Sequence, residues 1–164
     1  MSARPHWPWF AATAGATLVV AMLLSLLHVD LIEDRFGYDV DTVTGYLAAL
    51  GADGRGDLRV LHAVDMLFAA TYCLAMMATL RPVSPWRWLW LAVPIVPAAA
   101  DAVENVLLEV LSARYPAVSP GLVRVASAAT VLKWSGTVLW LACAVVLWIR
   151  WLVQRIGAVG SLTR

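Results

Sequence analysis

The chain has 164 residues, enough for one domain, and is 62% hydrophobic with only 14% charged residues and a mean hydropathy of +0.77. A soluble domain is about a quarter charged and roughly half apolar, so this composition excludes an ordinary soluble protein and predicts an integral membrane one. The net charge of +1 gives no reason to expect a nucleic-acid partner.

The N-terminus carries Arg4 and the pair Trp7 and Trp9, and residues 10–29 then run without Lys, Arg, Asp or Glu. That is about the 20 residues a helix needs to cross the hydrocarbon core. A signal peptide would have an apolar region of about 7–15 residues and a small-residue cleavage site. The longer run here, ending in His28-Val29-Asp30, favours a retained first span.

Residues 30–57 form the main hydrophilic segment, in which Asp30, Glu33, Asp34, Asp39, Asp41, Asp53 and Asp57 outnumber Arg35 and Arg55. Residues 42–50 can form a short helix, and the glycines Gly51, Gly54 and Gly56 predict a turn after it. The segment reads either as a solvated loop with an interfacial helix or as a lid, with Arg55 or Arg59 meeting a polar head group.

A second span is expected at 58–80, with His62, Asp65, Ala69, Tyr72 and Met76 near one face. A connection with Arg81, Pro82, Pro85 and Arg87 leads to a third span at 88–111, which contains Pro94 and Pro97. Proline inside a membrane helix frees carbonyls and usually kinks the helix. One turn later come Asp101, Glu104 and Asn105, spaced i, i+3 and i+4 and therefore on one face. A charge at a helix centre costs about 2.5–3.5 kcal/mol on insertion scales, so this face must look at protein or at a wet cavity. The fourth span, 122–149, holds Lys133 and a small-polar stripe of Ser127, Thr130, Trp134 and Thr137 suited to close helix packing.

Arg4, Arg81, Arg87, Arg150, Arg155 and Arg164 lie on one side of these spans with no acid beside them. The positive-inside rule then places both termini in the cytoplasm and the acidic segment 30–57 outside. The fold class expected is all-α, a four-helix bundle in the inner (plasma) membrane. At roughly 1.5 Å per residue, Asp65, Asp101, Glu104 and Lys133 fall within a turn or two of one depth, with His28 and His62 nearer the outer surface.

Three carboxylates against one ammonium is more negative charge than a low-dielectric layer tolerates, so at least one carboxylate should hold a proton. A neutral acid beside an ionised one is what general acid–base chemistry and proton relays use. The alternative is a structural network in which Lys133 locks the bundle. Trp7, Trp9, Trp86, Trp88, Trp90, Trp148 and Trp151 read as an interfacial belt. Trp134, beside Lys133, reads either as packing or as a pocket wall that faces a cation. Cys73 and Cys143 lie in apolar runs and read as packing residues. His6, His28 and His62 are spread over separate segments, so no metal or haem site is expected and no cofactor is called for. No inverted repeat of the secondary-transporter kind is visible.

Taken together, Gly51-x-x-Gly54-Arg55, Asp65, Tyr72, Pro97-x-x-x-Asp101-x-x-Glu104-Asn105 and Lys133 form a pattern over roughly residues 45–135. It resembles small bacterial four-span membrane proteins to which no activity attaches. In architecture alone the chain is similar to the sterol isomerase and sigma-2 receptor group, which holds lipophilic ligands among intramembrane carboxylates.

The function expected is proton-initiated isomerisation or cyclisation of a lipophilic terpenoid, sterol-like molecule or lipid. Asp101 or Glu104 would be the acid, Asp65 the partner that sets its protonation and Lys133 the charge balance. Tyr72, Asn105, Trp134, His62 and Arg55 would contact substrate. The alternatives are a proton-coupled carrier or lipophile-binding protein using the same groups, and an accessory subunit whose polar layer docks another membrane protein.

Overall fold

The computed structural model describes residues 7–26, 32 and 35–162. Four helices make up almost all of this, α1 (Trp7–Leu26), α2 (Val40–Leu80), α3 (Arg87–Arg114) and α4 (Pro120–Leu162), and no strand occurs among the described residues. The protein is all-helical as expected. Arg4, His6, His28, Asp30, Glu33, Asp34 and Arg164 lie outside the described residues, as do the side chains of Trp7 and Trp9.

Three helices, α2, α3 and α4, are long and apolar enough among the described residues to cross a membrane. Large apolar side chains stand exposed along them, including Leu67 and Leu74 on α2, Val103 and Val106 on α3, and Val138, Leu141, Val145 and Ile149 on α4. Water would not tolerate so much exposed apolar surface, whereas acyl chains do. The chain is membrane-embedded. The span expected at 10–29 coincides with most of α1, which packs on α2.

Two helices are longer than the sequence suggests. α2 begins at Val40, so most of what reads as a hydrophilic loop is helix. Asp39 caps its start by accepting a hydrogen bond from the Thr42 amide at 2.8 Å and from the Thr42 hydroxyl at 2.6 Å. The turn expected at residues 51–56 shrinks to a single kink at Gly51, with φ 66° and ψ −169°. Only glycine adopts that conformation without strain. Arg55 Nη1 donates to the Leu47 carbonyl, four residues before the kink, at 3.1 Å.

The physical reason helix wins over turn is packing. Val43 and Leu47 before the kink, and Leu58 and Leu61 after it, bury into one cluster with Ile32, Leu108, Leu111 and Val123. Burying each such side chain contributes about 1.5–3 kcal/mol, which outweighs the propensity cost of three glycines at about 1 kcal/mol each. α4 likewise continues well beyond residue 149, through most of what reads as a tail.

α3 and α4 make the most extensive contact in the bundle. Pro94 and Pro97 stay inside α3 without ending it. The Pro97 ring lies against Gly136 of α4, where an added Cβ would come within 3.1 Å of it. At the other end of the bundle Leu80, Val93, Ala144 and Leu147 form a second apolar cluster. Trp140 Nε1 and Trp148 Nε1 of α4 donate to the Met76 and Thr79 carbonyls of α2, at 3.3 and 3.1 Å. Between the two apolar clusters lies a layer of buried polar side chains: His62, Asp65, Asp101, Glu104, Asn105 and Thr130.

Candidate functional site

α3 supplies the centre of the layer. Its two flanks are met by α4 and α2 in antiparallel order: each step of three or four residues along α3 is matched by three residues back along α4, and by seven and then three along α2. On the α4 side, Pro97 meets Gly136, Asp101 meets Lys133 and Glu104 meets Thr130. On the α2 side, Asp101 meets Tyr72, Asn105 meets Asp65, and Glu109 meets His62 and Arg59.

The α4 flank is an ion-paired knot. Lys133 Nζ lies 3.1 Å from Asp101 Oδ1 and 2.8 Å from Glu104 Oε2. Its side chain is 12% exposed, and Glu104 is 0% exposed. Glu104 Oε1 accepts from the Thr130 hydroxyl and, at 3.1 Å, from the Tyr38 hydroxyl. Thr130 can also donate to the Ala126 carbonyl at 3.1 Å. Tyr38 precedes α2 and is anchored by its own amide, which donates to Ser127 Oγ of α4 at 2.9 Å. Gly37 turns the chain into this contact with φ 94°, and an added Cβ would meet Ser127 Oγ at 3.3 Å.

On the α2 flank the layer is held by uncharged donors, Tyr72 and Asn105, with the Arg59–Glu109 ion pair beyond them. Tyr72 donates to Asp101 Oδ2 at 3.0 Å. Asn105 Nδ2 donates to Asp65 Oδ2 at 2.8 Å, and the buried Asn105 Oδ1 has no hydrogen-bond partner. Among the described residues Asp65 is within ion-pair distance of no cation. Further along, His62 Nδ1 and Glu109 Oε2 face one another at 3.7 Å, both buried and both without a hydrogen bond. Glu109 Oε1 binds the exposed Arg59 Nε at 2.7 Å.

The structure thus brings Asp65, Tyr72, Asp101, Glu104, Asn105 and Lys133 into one connected layer. His62 lies one turn from Asp65, on Glu109. Tyr72 and Asn105 each donate a hydrogen bond to a carboxylate of the layer. Trp134 is 37% exposed, with its ring centroid 5.9 Å from Lys133 Nζ, at the limit of cation–π range. Arg55 is not part of the layer: besides Leu47 it meets the Tyr115 ring, 4.8 Å from the centroid.

Three contributors escape sequence reasoning. Tyr38 sits in a segment with no periodicity to aim it. Thr130 reads as a small packing residue. Glu109 carries the clearest available signal, since it lies at i+4 from Asn105 on the polar face of α3. No three His, Cys, Asp or Glu side chains among the described residues converge with metal-site geometry. No protein family, no characterised protein and no solved structure matches the chain.

Proposed function

We propose that the chain is a multi-pass enzyme of a cell's inner membrane, a four-helix bundle with α1 as its fourth span and both termini cytoplasmic. Its acid layer would perform proton-initiated isomerisation or cyclisation of a lipophilic terpenoid, sterol-like molecule or lipid, without a cofactor. One observation carries this reading: Lys133 is shared by Asp101 and Glu104, while Asp65, also buried, has only the Asn105 amide. Two carboxylates on one ammonium already leave a net negative charge. A third ionised carboxylate in the same layer would have to share that one ammonium without pairing to it, so the proton sits most cheaply on Asp65.

This inverts the roles expected from sequence. Asp65 becomes the acid, and Asp101 and Glu104 the ionised pair held by Lys133. In the reaction the Asp65 O–H breaks and its proton forms a C–H bond with the π pair of a substrate alkene. A carbocation and the Asp65 carboxylate result. Loss of a proton from a neighbouring carbon back to the Asp65 carboxylate restores the alkene and the enzyme, with no change of oxidation state. The Phe68 and Tyr72 rings, edge to face with centroids 5.2 Å apart, follow Asp65 on α2 and offer π density to the cation. Tyr38, reaching from the segment before α2 to Glu104, supports the lid reading of that segment.

The test is mass spectrometry with chromatographic separation of whatever lipophile co-purifies in mild detergent, for wild type, Asp65→Asn, Asp101→Asn and Glu104→Gln. The reading expects Asp65→Asn to hold a different isomer from wild type, at undiminished occupancy. Conversion retained in Asp65→Asn overturns the assignment of the acid, and conversion retained in all three amide variants overturns the reading.

A second reading, a proton-coupled carrier, is favoured by the Asn105, His62, Glu109 and Arg59 series, which leads from the buried layer to an exposed guanidinium. It expects chemically unchanged ligand in every variant and ligand flux that follows an imposed proton gradient.

A further inference from the structure

A second site lies at the opposite, arginine-rich end of the bundle, away from the acid layer. Where α2 hands over to α3, the connection packs beside the late turns of α4 and leaves a cavity of about 290 Å³, close to the lower limit of small-molecule sites. One wall is apolar, made by Pro82, Val83, Pro85 and Leu147. The other presents Arg150 and, one helical turn on, Gln154, with the Trp151 ring between them.

The cavity is held open by local structure. The Val83 and Ser84 amides both donate to the Leu80 carbonyl, at 3.2 and 2.9 Å. The Ser84 hydroxyl donates to the Trp86 carbonyl and accepts from the Trp86 amide. Trp148 is tied to the Thr79 carbonyl and meets Trp151 edge to face with centroids 5.2 Å apart. The wall that carries Trp151 is thereby fixed to α2.

Charge at this end is of one sign. No Asp or Glu occurs between Arg81 and Ala100, or anywhere after Glu109. Arg81 rests over Trp90 at 5.8 Å and Arg155 over Trp151 at 4.9 Å. Arg150 has neither a ring nor a carboxylate against it among the described residues. It is therefore a guanidinium with its donors uncommitted, in a cavity that also has a greasy wall, at the level of the exposed Trp86 and Trp88. Interfacial tryptophans mark the headgroup depth of a bilayer, and basic pockets between membrane helices bind anionic headgroups.

We propose that this cavity binds the phosphate of an anionic membrane phospholipid. Arg150 would clasp the phosphate oxygens with two parallel N–H donors, Gln154 would donate to the headgroup, and the Val83 and Leu147 wall would cover the glycerol and the first methylenes. The apolar wall is what separates a lipid phosphate from a free one. This proposal does not rest on the acid chemistry above.

The test uses the full chain, delipidated in neutral detergent, with bound lipid counted by native mass spectrometry. Phosphatidylglycerol is titrated against phosphatidylcholine, with inorganic phosphate as competitor. One arginine near a charged headgroup should give about a fivefold preference for phosphatidylglycerol. Arg150→Gln should erase that preference, and so should Val83→Trp, which fills the cavity without altering charge. Arg150→Lys should keep part of it. Equal retention of the two lipids by wild type, or an unchanged preference in both Arg150→Gln and Val83→Trp, overturns the proposal. Displacement of the lipid by inorganic phosphate at equal concentration also overturns it, because the site would then be a plain anion site.

Discussion

On the α4 flank of α3, a lysine holds two carboxylates within 3.1 Å; on the α2 flank, another buried carboxyl has only an amide, and a histidine faces a glutamate across 3.7 Å. The same short stretch, Asp101 to Asn105, serves both. The first arrangement fixes the bundle, because an ion pair in low dielectric cannot be opened without exposing an unpartnered charge. The second leaves room for change, because an acid held neutral, as proposed for Asp65, can lose and regain a proton without breaking a pair. On the function proposed above, chemistry and stability fall on opposite sides of one helix.

The largest effect should come from breaking the lysine knot. Lys133→Met leaves Asp101 and Glu104 buried with no cation from α4, and removing one partner of a buried pair costs about 3–5 kcal/mol. Thermal unfolding in detergent should show it. Lys133→Met combined with Asp101→Asn and Glu104→Gln should recover most of the loss, since the triple variant buries no charge there. If Lys133→Met alone melts like wild type, the α4 flank is not the structural one.

A smaller loss should follow from Gly136→Val. The Pro97 ring has no slack toward α4, and an added Cβ already meets it at 3.1 Å. Overpacking of this kind costs about 1–3 kcal/mol. It should also shift Lys133 relative to Asp101, one turn away. Introducing Pro97→Ala into the same variant should restore part of the stability. Without such rescue, the close approach of the two helices is not what sets the register.

These two sites also show what could be read in advance. The membrane character and the convergence of Asp65, Asp101, Glu104 and Lys133 follow from composition and helical period, because a buried charge on a lipid-facing helix has nowhere else to go. The kink at Gly51 and the length of α2 do not follow. Three glycines and several acids read as a loop, and only the burial of Val43 and Leu47 against α3 and α4 shows why helix prevails. Tyr38 is the same lesson at the site, since its hydroxyl reaches Glu104 through a turn set by Gly37 and Ser127, a contact 66 residues apart in sequence. The division of labour between the flanks depends on which helix α3 shows each side chain to, and spacing alone does not fix that.

Asp65→Asn sharpens the comparison from the other flank. If Asp65 is protonated as proposed, its carboxyl and a carboxamide have nearly the same shape, and the new side chain can still accept from Asn105. The stability change should stay within about 1 kcal/mol, the net scale of one neutral hydrogen bond. A loss as large as that of Lys133→Met would mean that Asp65 is a charged structural partner after all, and the two flanks would no longer differ in kind.

The smallest effect lies outside the layer, at the cap that starts α2. The Thr42 hydroxyl first, and then the Thr42 amide, hold the Asp39 carboxyl below its ordinary value of 3.8. A carboxyl with a folded value below its unfolded one stabilises the fold above the unfolded value, and that contribution fades as pH falls through the folded value. The window is therefore below about pH 4, with no change expected between pH 5 and 8 from this group. Asp39 is fully exposed, so the loss should be local to the first turn of α2. The Thr42 amide proton resonance should move together with the Asp39 carboxyl carbon as pH is lowered through this window. Asp39→Asn should keep the cap, because asparagine caps as well as aspartate, while abolishing the titration. A Thr42 amide that stays fixed while Asp39 titrates at its ordinary value would show that the cap does not hold this end of the helix, and the entry of Tyr38 into the site would need another anchor.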